Sequence, residues 1–157
     1  MSIHLDVPGW GAVELEHLVL DLNGTVALDG QVLPGVAERL AALSAQLTVH
    51  LVTADTQGRA GELSAALGVR LARIAPGDEA GQKLALVERL GAAHVAAIGN
   101  GANDARMLAA AAVGIAVVGP EGAAIVALQA ADVAVGRIED ALDLLRYPRR
   151  LMATLRR

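Results

Sequence analysis

The chain has 157 residues, of which 54% are hydrophobic and 19% charged, with a formal net charge of −4 and no cysteine. This length and apolar content predict a single folded domain over residues 1–157 and exclude a disordered chain. The missing cysteine excludes a disulfide scaffold, a zinc–thiolate centre and a cysteine nucleophile. The acidic balance and the scarcity of aromatic residues argue against nucleic-acid binding. The longest run of apolar residues and glycine has 13 residues, fewer than the roughly 18 of a spanning helix. The N-terminus carries no export signal, so we expect a cytoplasmic protein without a membrane partner.

Two short hairpins are predicted near the start of the chain. Residues 3–7 and 13–16 alternate between apolar and polar side chains on either side of a Pro-Gly pair, which is typical of antiparallel strands. Residues 26–28 and 31–33 flank an Asp-Gly pair, which favours a tight turn. The first hairpin precedes the strands of the predicted core, and the second leaves the first of them.

The rest of the chain alternates between short apolar runs and helical patterns. Uninterrupted apolar runs are typical of parallel strands that are buried on both faces. Their alternation with helices predicts a three-layer α/β fold, doubly wound around a mostly parallel sheet. Residues 138–145 have the clearest amphipathic period of any helical pattern. The other predicted helices are near 35–46, 57–67, 78–91, 102–112 and 121–130, and the predicted strands are 18–20, 49–52, 95–98, 115–118 and 133–135.

The C-terminal residues 148–157 are basic and amphipathic. They predict a final helix that packs Leu151 and Leu155, with arginines near the negative end of the helix dipole. Contact of this basic stretch with an acidic partner is the alternative interpretation.

Polar residues directly follow three of the predicted strands. The carboxyl ends of parallel strands meet at one edge of a sheet, where ligands bind. Two carboxylates, a hydroxyl and the single lysine would converge there on a glycine-lined crevice. Such a set suits a phosphoryl group with a divalent ion, and backbone N–H groups at the glycines would face phosphate oxygens. The residues are Asp21-Leu22-Asn23-Gly24-Thr25, Thr53-Ala54-Asp55, Lys83 and Gly99-Asn100-Gly101-Ala102-Asn103-Asp104.

These four motifs, in this order, resemble the haloacid dehalogenase-like (HAD-like) superfamily over residues 16 to about 118. Within it the chain is most similar to the soluble P-type ATPase-like proteins, which resemble the phosphorylation domain of ion pumps. The resemblance implies a Rossmann-like fold and a Mg²⁺-dependent phosphohydrolase or phosphotransferase.

The resemblance also implies a role for each matching residue. Asp21 would be the nucleophile that forms an aspartyl-phosphate. Asn23 would bind Mg²⁺ through its backbone carbonyl, and Asp104 would bind it directly or through water. The implied catalytic set is Asp21, Asn23, Thr53 and Lys83; the phosphate-binding set is Gly24, Thr53, Ala54 and Lys83; the metal-binding set is Asp21, Asn23, Asn100 and Asp104.

Two positions depart from the common phosphatase pattern. Asn23 stands where most phosphatases have the aspartate that acts as general acid and base, and Asn100 stands where a metal-binding aspartate is usual. An amide cannot act as a general acid or base, and the loss of this proton transfer lowers the catalytic rate about 10²- to 10⁴-fold. An amide oxygen also binds Mg²⁺ without formal charge. We therefore expect slow turnover and weak Mg²⁺ binding.

Two other functions remain open at this stage. A non-catalytic interaction or regulatory module would keep the fold and lose the catalytic activity. The replacement of the usual aspartates by Asn23 and Asn100 is the reason to consider it. A signalling receiver domain also joins a phosphorylated aspartate, a threonine and a lysine. The receiver family places an acidic pair after its first strand, whereas Gly24-Thr25 here marks Asp21 as the nucleophile.

The spacing of the motifs leaves no room for a cap domain. Only 27 residues separate Thr25 from Thr53, and 29 separate Thr53 from Lys83. An uncapped site would accept a small phosphorylated molecule or a phosphoprotein. The open site and the high apolar content also lead us to expect a homo-oligomer.

Overall fold

The computed structural model describes residues 1–55 and 58–157. These residues form ten strands, seven α-helices and two short 3-10 segments. In chain order the strands and α-helices are β1 (Ile3–Val7), β2 (Gly11–Leu15), β3 (His17–Asp21), β4 (Ala27–Leu28), β5 (Gln31–Val32), α1 (Val36–Ser44), β6 (Thr48–Thr53), α2 (Arg59–Leu67), β7 (Arg70–Arg73), α3 (Glu79–Leu90), β8 (Val95–Gly99), α4 (Ala105–Ala110), β9 (Val113–Val117), α5 (Ile125–Ala130), β10 (Val133–Val135), α6 (Ile138–Arg146) and α7 (Pro148–Leu155).

A six-stranded sheet with the order β10-β9-β8-β3-β6-β7 forms the centre of the molecule. Every neighbouring pair in it is parallel. This confirms the predicted α/β fold. The chain runs from β3 outward through β6 to β7 and then returns to the other side of β3 at β8. The carboxyl end of β3 is therefore a switch point, where open parallel sheets bind ligands.

Helices cover both faces of the sheet. Leu18 and Leu20 of β3 belong to the core cluster that includes α1, α2, α6 and α7. Val19, between them, belongs to a second cluster with α3 and α4. Because successive side chains of a strand point to opposite faces, both faces require apolar residues, which accounts for the uninterrupted runs. The same alternation directs Asp21 to the face on which α3 packs.

Both predicted hairpins and the predicted C-terminal helix are confirmed. Strands β1 and β2 pair antiparallel, as do β4 and β5. Helix α7 packs against β1 and α6. Leu151 and Leu155 are buried in the first core cluster, which is what the amphipathic pattern predicted.

Two details differ from the sequence prediction. Strand β7 is absent from the predicted strands because it lies at the edge of the sheet: Arg70 and Arg73 are exposed, and the pattern has no apolar run. Helix α5 begins at Ile125 rather than near 121, because turns with positive φ at Gly119 and Gly122 occupy the preceding residues. The predicted start of α2 at residue 57 falls outside the described residues.

The segments that flank Thr53 are short, as the spacing indicated. Between Thr25 and Thr53 the chain forms the β4–β5 hairpin and α1, and the described residues between Thr53 and Lys83 form α2, β7 and the start of α3. Neither described segment contains an inserted domain. None of the helices in residues 1–55 and 58–157 has both the length and the apolar character of a membrane span.

Candidate active site

Asp21 ends β3 at the carboxyl edge of the sheet. Its side chain is only 12% exposed. Oδ1 accepts a hydrogen bond from Lys83 Nζ at 3.0 Å, and Oδ2 accepts one from the hydroxyl of Thr25 at 3.2 Å. The carboxylate is therefore held from two sides.

Lys83 lies in the second turn of α3 and is almost fully buried. Its ammonium donates to Asp21 Oδ1 at 3.0 Å, to Asp104 Oδ1 at 2.8 Å and to Asn103 Oδ1 at 3.2 Å. These acceptors match the three N–H donors of an ammonium group. Lys83 thus joins the ends of two strands through one side chain.

Asp104 braces the loop that follows β8. It is fully buried, and its Oδ2 accepts the backbone N–H groups of Asn100 at 3.0 Å and Gly101 at 2.9 Å. A Cβ at Gly99 would lie only 2.5 Å from Asp104 Cγ. This position therefore requires glycine for the close approach of the carboxylate.

The charges of this buried cluster do not balance. Two carboxylates, Asp21 and Asp104, share one ammonium. Burial, and after it the negative charge of Asp104, raises the pKa of Asp21 to about 7, although Lys83 and Thr25 act in the opposite direction. Burial lowers the pKa of Lys83, but the attraction of the two carboxylates outweighs it and the net shift is upward. An additional positive charge beside Asp21 would favour its ionised form.

Thr53 ends β6, next to β3, and is buried. Its hydroxyl oxygen accepts the backbone N–H of Asp55 at 3.1 Å and lies 3.5 Å from Asn23 Nδ2. No described residue accepts the hydroxyl proton of Thr53, which lines the same cavity as Asp21. The group can therefore donate to an oxygen atom of a ligand.

The two asparagines that replace the expected aspartates differ in environment. Asn23 is exposed, and its side chain makes one long hydrogen bond within the described part of the chain, to Thr53. Asn100 is buried and uses both ends of its amide: Oδ1 lies 3.1 Å from the Thr25 hydroxyl, whose single proton it shares with Asp21 Oδ2, and Nδ2 donates to the carbonyl of Gly122 at 3.1 Å.

A cavity of about 420 Å³ opens above Asp21. Of the predicted site residues, Gly24 does not line it, and its N–H donates to the carbonyl of Ala27 at 2.8 Å. That Gly24 binds phosphate stays a prediction. Asp104 lies beneath the lining, behind Lys83. The described lining residues are Asp21, Asn23, Thr53, Ala54, Asp55, Glu79, Lys83, Asn100, Gly101, Asn103 and Glu121.

Two carboxylates of this lining were missed in the sequence. Glu79 precedes Lys83 by four residues, and this spacing places both on one face of α3, so the helical period could have identified it. Glu121 lies in the loop after β9, and no local pattern relates it to the motifs. Its Oε1 would lie 2.5 Å from a Cβ at Gly24.

The donor set fits a hard divalent cation. The described residues contain no group of three or more His, Cys, Asp or Glu side chains with metal-binding geometry. The available ligands are instead carboxylate, amide and backbone carbonyl oxygens, which Mg²⁺ prefers. Asp21 and Asp104 share the single ammonium of Lys83, and the excess negative charge that this leaves is the observation that supports the fit.

A histidine pair lies at the opposite end of β3. His17 Nδ1 and His50 Nε2 are 3.2 Å apart. Burial, followed by the charges of His17, Arg70 and Arg89, lowers the pKa of His50 to about 4. The pair is remote from Asp21 because it lies beside the amino end of the strand, and its sequence spacing did not indicate the contact.

Comparison with protein families and curated sequences relates the chain to hydrolases. Residues 3–112 match the haloacid dehalogenase-like hydrolase family. An uncharacterised protein of Methanocaldococcus jannaschii is 43% identical over 84 residues, which are 51% of this chain and 90% of that protein. A protein of Synechocystis named as a probable copper-transporting ATPase, PacS, is 34% identical over 128 residues. That match covers 78% of this chain but only 16% of the transporter.

Solved structures share the fold. One is 3-deoxy-D-manno-octulosonate 8-phosphate phosphatase from Moraxella catarrhalis, in complex with a magnesium ion, a phosphate ion and KDO. It has a TM-score of 0.66 and 19% identity, and the match covers 90% of this chain and 94% of the phosphatase. At this identity the similarity establishes the architecture.

Proposed function

Since the chain belongs to the haloacid dehalogenase-like hydrolase family, we propose that it is a Mg²⁺-dependent phosphohydrolase or phosphotransferase that forms an aspartyl-phosphate on Asp21. In this proposal residues 1–157 are a single uncapped domain of the soluble P-type ATPase-like kind, which the similarity to PacS supports. The substrate is a small phosphorylated molecule or a phosphoprotein, and the site works in the cytoplasm.

One observation supports this function above all others. The Asp21 carboxylate is fixed by Lys83 at the floor of a cavity into which the hydroxyl of Thr53 can also donate. A nucleophile and two donors for phosphoryl oxygens therefore surround one space, and positioning of this kind accounts for much of phosphoryl-transfer catalysis. Ala54 lines the same space.

The proposed reaction has two steps. A carboxylate oxygen of Asp21 attacks phosphorus, and the leaving oxygen departs with the bonding electron pair and takes a proton from water. A water molecule then attacks the same phosphorus, releases phosphate and restores the Asp21 carboxylate. In both steps Thr53 donates a hydrogen bond to a phosphoryl oxygen, and Lys83 does so after one of its N–H groups leaves its present acceptor.

Asn23 determines the speed of the second step. The attacking water must lose a proton, and the amide of Asn23 can orient this water but cannot accept the proton. We therefore propose a phosphoenzyme that forms readily and is hydrolysed slowly.

The metal ion would be held by four residues. It would neutralise phosphoryl oxygens when bound, as divalent ions do in related chemistry. The proposed ligands are Asp21, the backbone carbonyl of Asn23, Asn100 and Asp104. Asp104 would act through water, because its oxygens already accept from Lys83 and two backbone N–H groups.

A non-catalytic module is the second candidate. The exposed amide of Asn23 and the buried, hydrogen-bonded amide of Asn100 favour it, since neither supplies the charge of an aspartate. A receiver-like phosphoacceptor domain is a third candidate and is opposed by the order of the motifs.

Labelling with ³²P-acetyl phosphate in Mg²⁺ tests the proposal. Wild type should acquire acid-stable label, and Asp21→Asn should acquire none. Asp6→Asn, which removes an exposed carboxylate on β1, is the matched control and should label like wild type. Absence of label and of p-nitrophenyl phosphate hydrolysis in wild type would favour the non-catalytic module.

A further inference from the structure

Three carboxylates from separate elements surround the mouth of the cavity. Asp55 follows β6, Glu79 begins α3, and Glu121 lies in the loop between β9 and α5. Lys83 is the only cationic residue among the described lining residues, and Asp21 and Asp104 already engage its ammonium. The charge of Lys83 therefore does not offset the negative charge of the mouth.

Contacts within the protein fix the positions of Glu79 and Asp55. The Glu79 carboxylate accepts a hydrogen bond from Asn103 Nδ2 at 2.9 Å. Asp55 Oδ2 accepts the backbone N–H of Ala60 at 3.1 Å, near the start of α2. Hydrogen bonds within the protein therefore hold both carboxylates in place in the wall of the cavity.

Glu121 is positioned through Asn100. The Asn100 side chain donates to the carbonyl of Gly122, and the backbone carbonyl of Asn100 accepts the N–H of Ala124 at 2.8 Å. The loop between β9 and α5 is thereby attached to the end of β8. The Glu121 carboxylate lies against Gly24, in the loop that follows Asp21. An aspartate at position 100 could not donate to Gly122, so the replacement by asparagine serves this attachment.

We propose, on the basis of the function proposed above, that Glu79 and Glu121 are specificity-determining residues that favour phosphomonoesters with a cationic leaving group. The substrate class is the phosphate ester of an amino alcohol. Esters whose leaving group carries a carboxylate are disfavoured by the same charges. At about 6 Å in a medium close to water, each carboxylate changes the preference for a charged group by roughly threefold, and by more where water is excluded.

The reaction itself is unchanged by this preference. The phosphorus–oxygen bond of the ester breaks, the alcohol oxygen takes a proton from water, and the ammonium group of the leaving alcohol neither gains nor loses a proton. The mouth carboxylates act on the part of the substrate that projects from the cavity.

Competition with p-nitrophenyl phosphate hydrolysis tests the inference. O-phosphoethanolamine and phosphoglycolate serve as the cationic and anionic probes, at low ionic strength because salt screens exposed charges. In wild type, O-phosphoethanolamine should compete at a concentration at least tenfold lower than phosphoglycolate. Glu121→Gln should reduce this ratio about threefold to tenfold, and Glu121→Lys should reduce it further or invert it.

Glu88→Gln is the matched control, since Glu88 is an exposed carboxylate of α3 outside the cavity lining. It should leave the ratio unchanged. A preference for phosphoglycolate in wild type, or a ratio that neither Glu121 variant changes, would overturn the inference while p-nitrophenyl phosphate hydrolysis upholds the proposed function. Absence of p-nitrophenyl phosphate hydrolysis in wild type would instead overturn both.

Discussion

We expect the buried Asp21 carboxylate to destabilise the metal-free fold, so that its replacement by asparagine raises the free energy of unfolding. Its pKa rises from 3.8 to about 7, first because the carboxyl is buried and then because Asp104 is near. A difference of about 3 pKa units corresponds to roughly 4 kcal/mol at 1.36 kcal/mol per unit. Above pH 7, Asp21→Asn removes this cost, and we expect a gain of about 2–4 kcal/mol in the free energy of unfolding.

The sign of the pH dependence follows from the direction of the shift. Between pH 3.8 and about 7 the folded protein retains a proton on Asp21 that the unfolded chain releases. Stability from this group is therefore fully present below pH 3.8 and is lost as the pH rises through 7. Asp21→Asn should abolish this part of the profile.

The assay is urea unfolding in EDTA at several pH values between 4 and 8. Trp10, the single tryptophan, packs against the core and reports unfolding by fluorescence. Asp6→Asn is the control and should change stability by about 0.5 kcal/mol or less, as surface substitutions do. Saturating Mg²⁺ should narrow the difference, since a ligand at 100 times its Kd adds about 2.7 kcal/mol to the form that binds it.

Two results would refute this reasoning. The first is an Asp21→Asn protein that is no more stable than wild type at pH 8 in EDTA. The second is a stability gain that is the same at pH 4 and pH 8. Either would mean that the charge of Asp21 is already compensated in the metal-free fold.

Four further predictions concern other groups. Asn23→Asp should speed steady-state hydrolysis of p-nitrophenyl phosphate about tenfold or more, measured by release of p-nitrophenolate, because a carboxylate can accept the proton of the attacking water; unchanged turnover would mean that another residue is the base. Because His50 has a folded pKa of about 4 against 6.5 when unfolded, stability should fall as the pH drops from 6.5 to 4. Urea unfolding of His50→Gln, with the exposed His94→Gln as control, should show that loss removed. Asn100→Asp should tighten Mg²⁺ binding in calorimetry and lower the free energy of unfolding by about 1 kcal/mol, because the donor to Gly122 is lost; equal Mg²⁺ affinity would contradict this. The homo-oligomer expected from the uncapped site should appear in light scattering at high micromolar concentration, and a monomer there would reject it.

The sequence predicted the sheet best where both of its faces are covered. Val19 packs against one layer of helices while Leu18 and Leu20 pack against the other, so an unbroken apolar run was required and could be recognised. Strand β7 lies at the sheet edge with Arg70 exposed, and hydrogen bonding to β6 alone defines it. No local pattern predicts such an edge strand.

The candidate site was predictable as far as it is built on strand ends. Asp21, Thr53 and Asp104 follow or end buried strands, so their meeting follows from the parallel sheet. The mouth of the cavity depends on how loops pack. Glu121 approaches Gly24 from almost a hundred residues away, and only the tertiary fold brings them together.

The two asparagines affect separate properties of the site. Asn100 is buried, and its amide donates to Gly122 and accepts from Thr25, so an aspartate could satisfy only half of these contacts. The asparagine supplies no formal charge to the metal, but it holds the loop that carries Glu121 in position. Asn23 is exposed and makes a single contact of 3.5 Å, so the fold gains little from its amide and would accept a carboxylate there. Metal affinity should therefore respond to position 100 and the lifetime of the phosphoenzyme to position 23. The two effects should combine independently in the double variant, because the two side chains have no hydrogen-bond partner in common among residues 1–55 and 58–157.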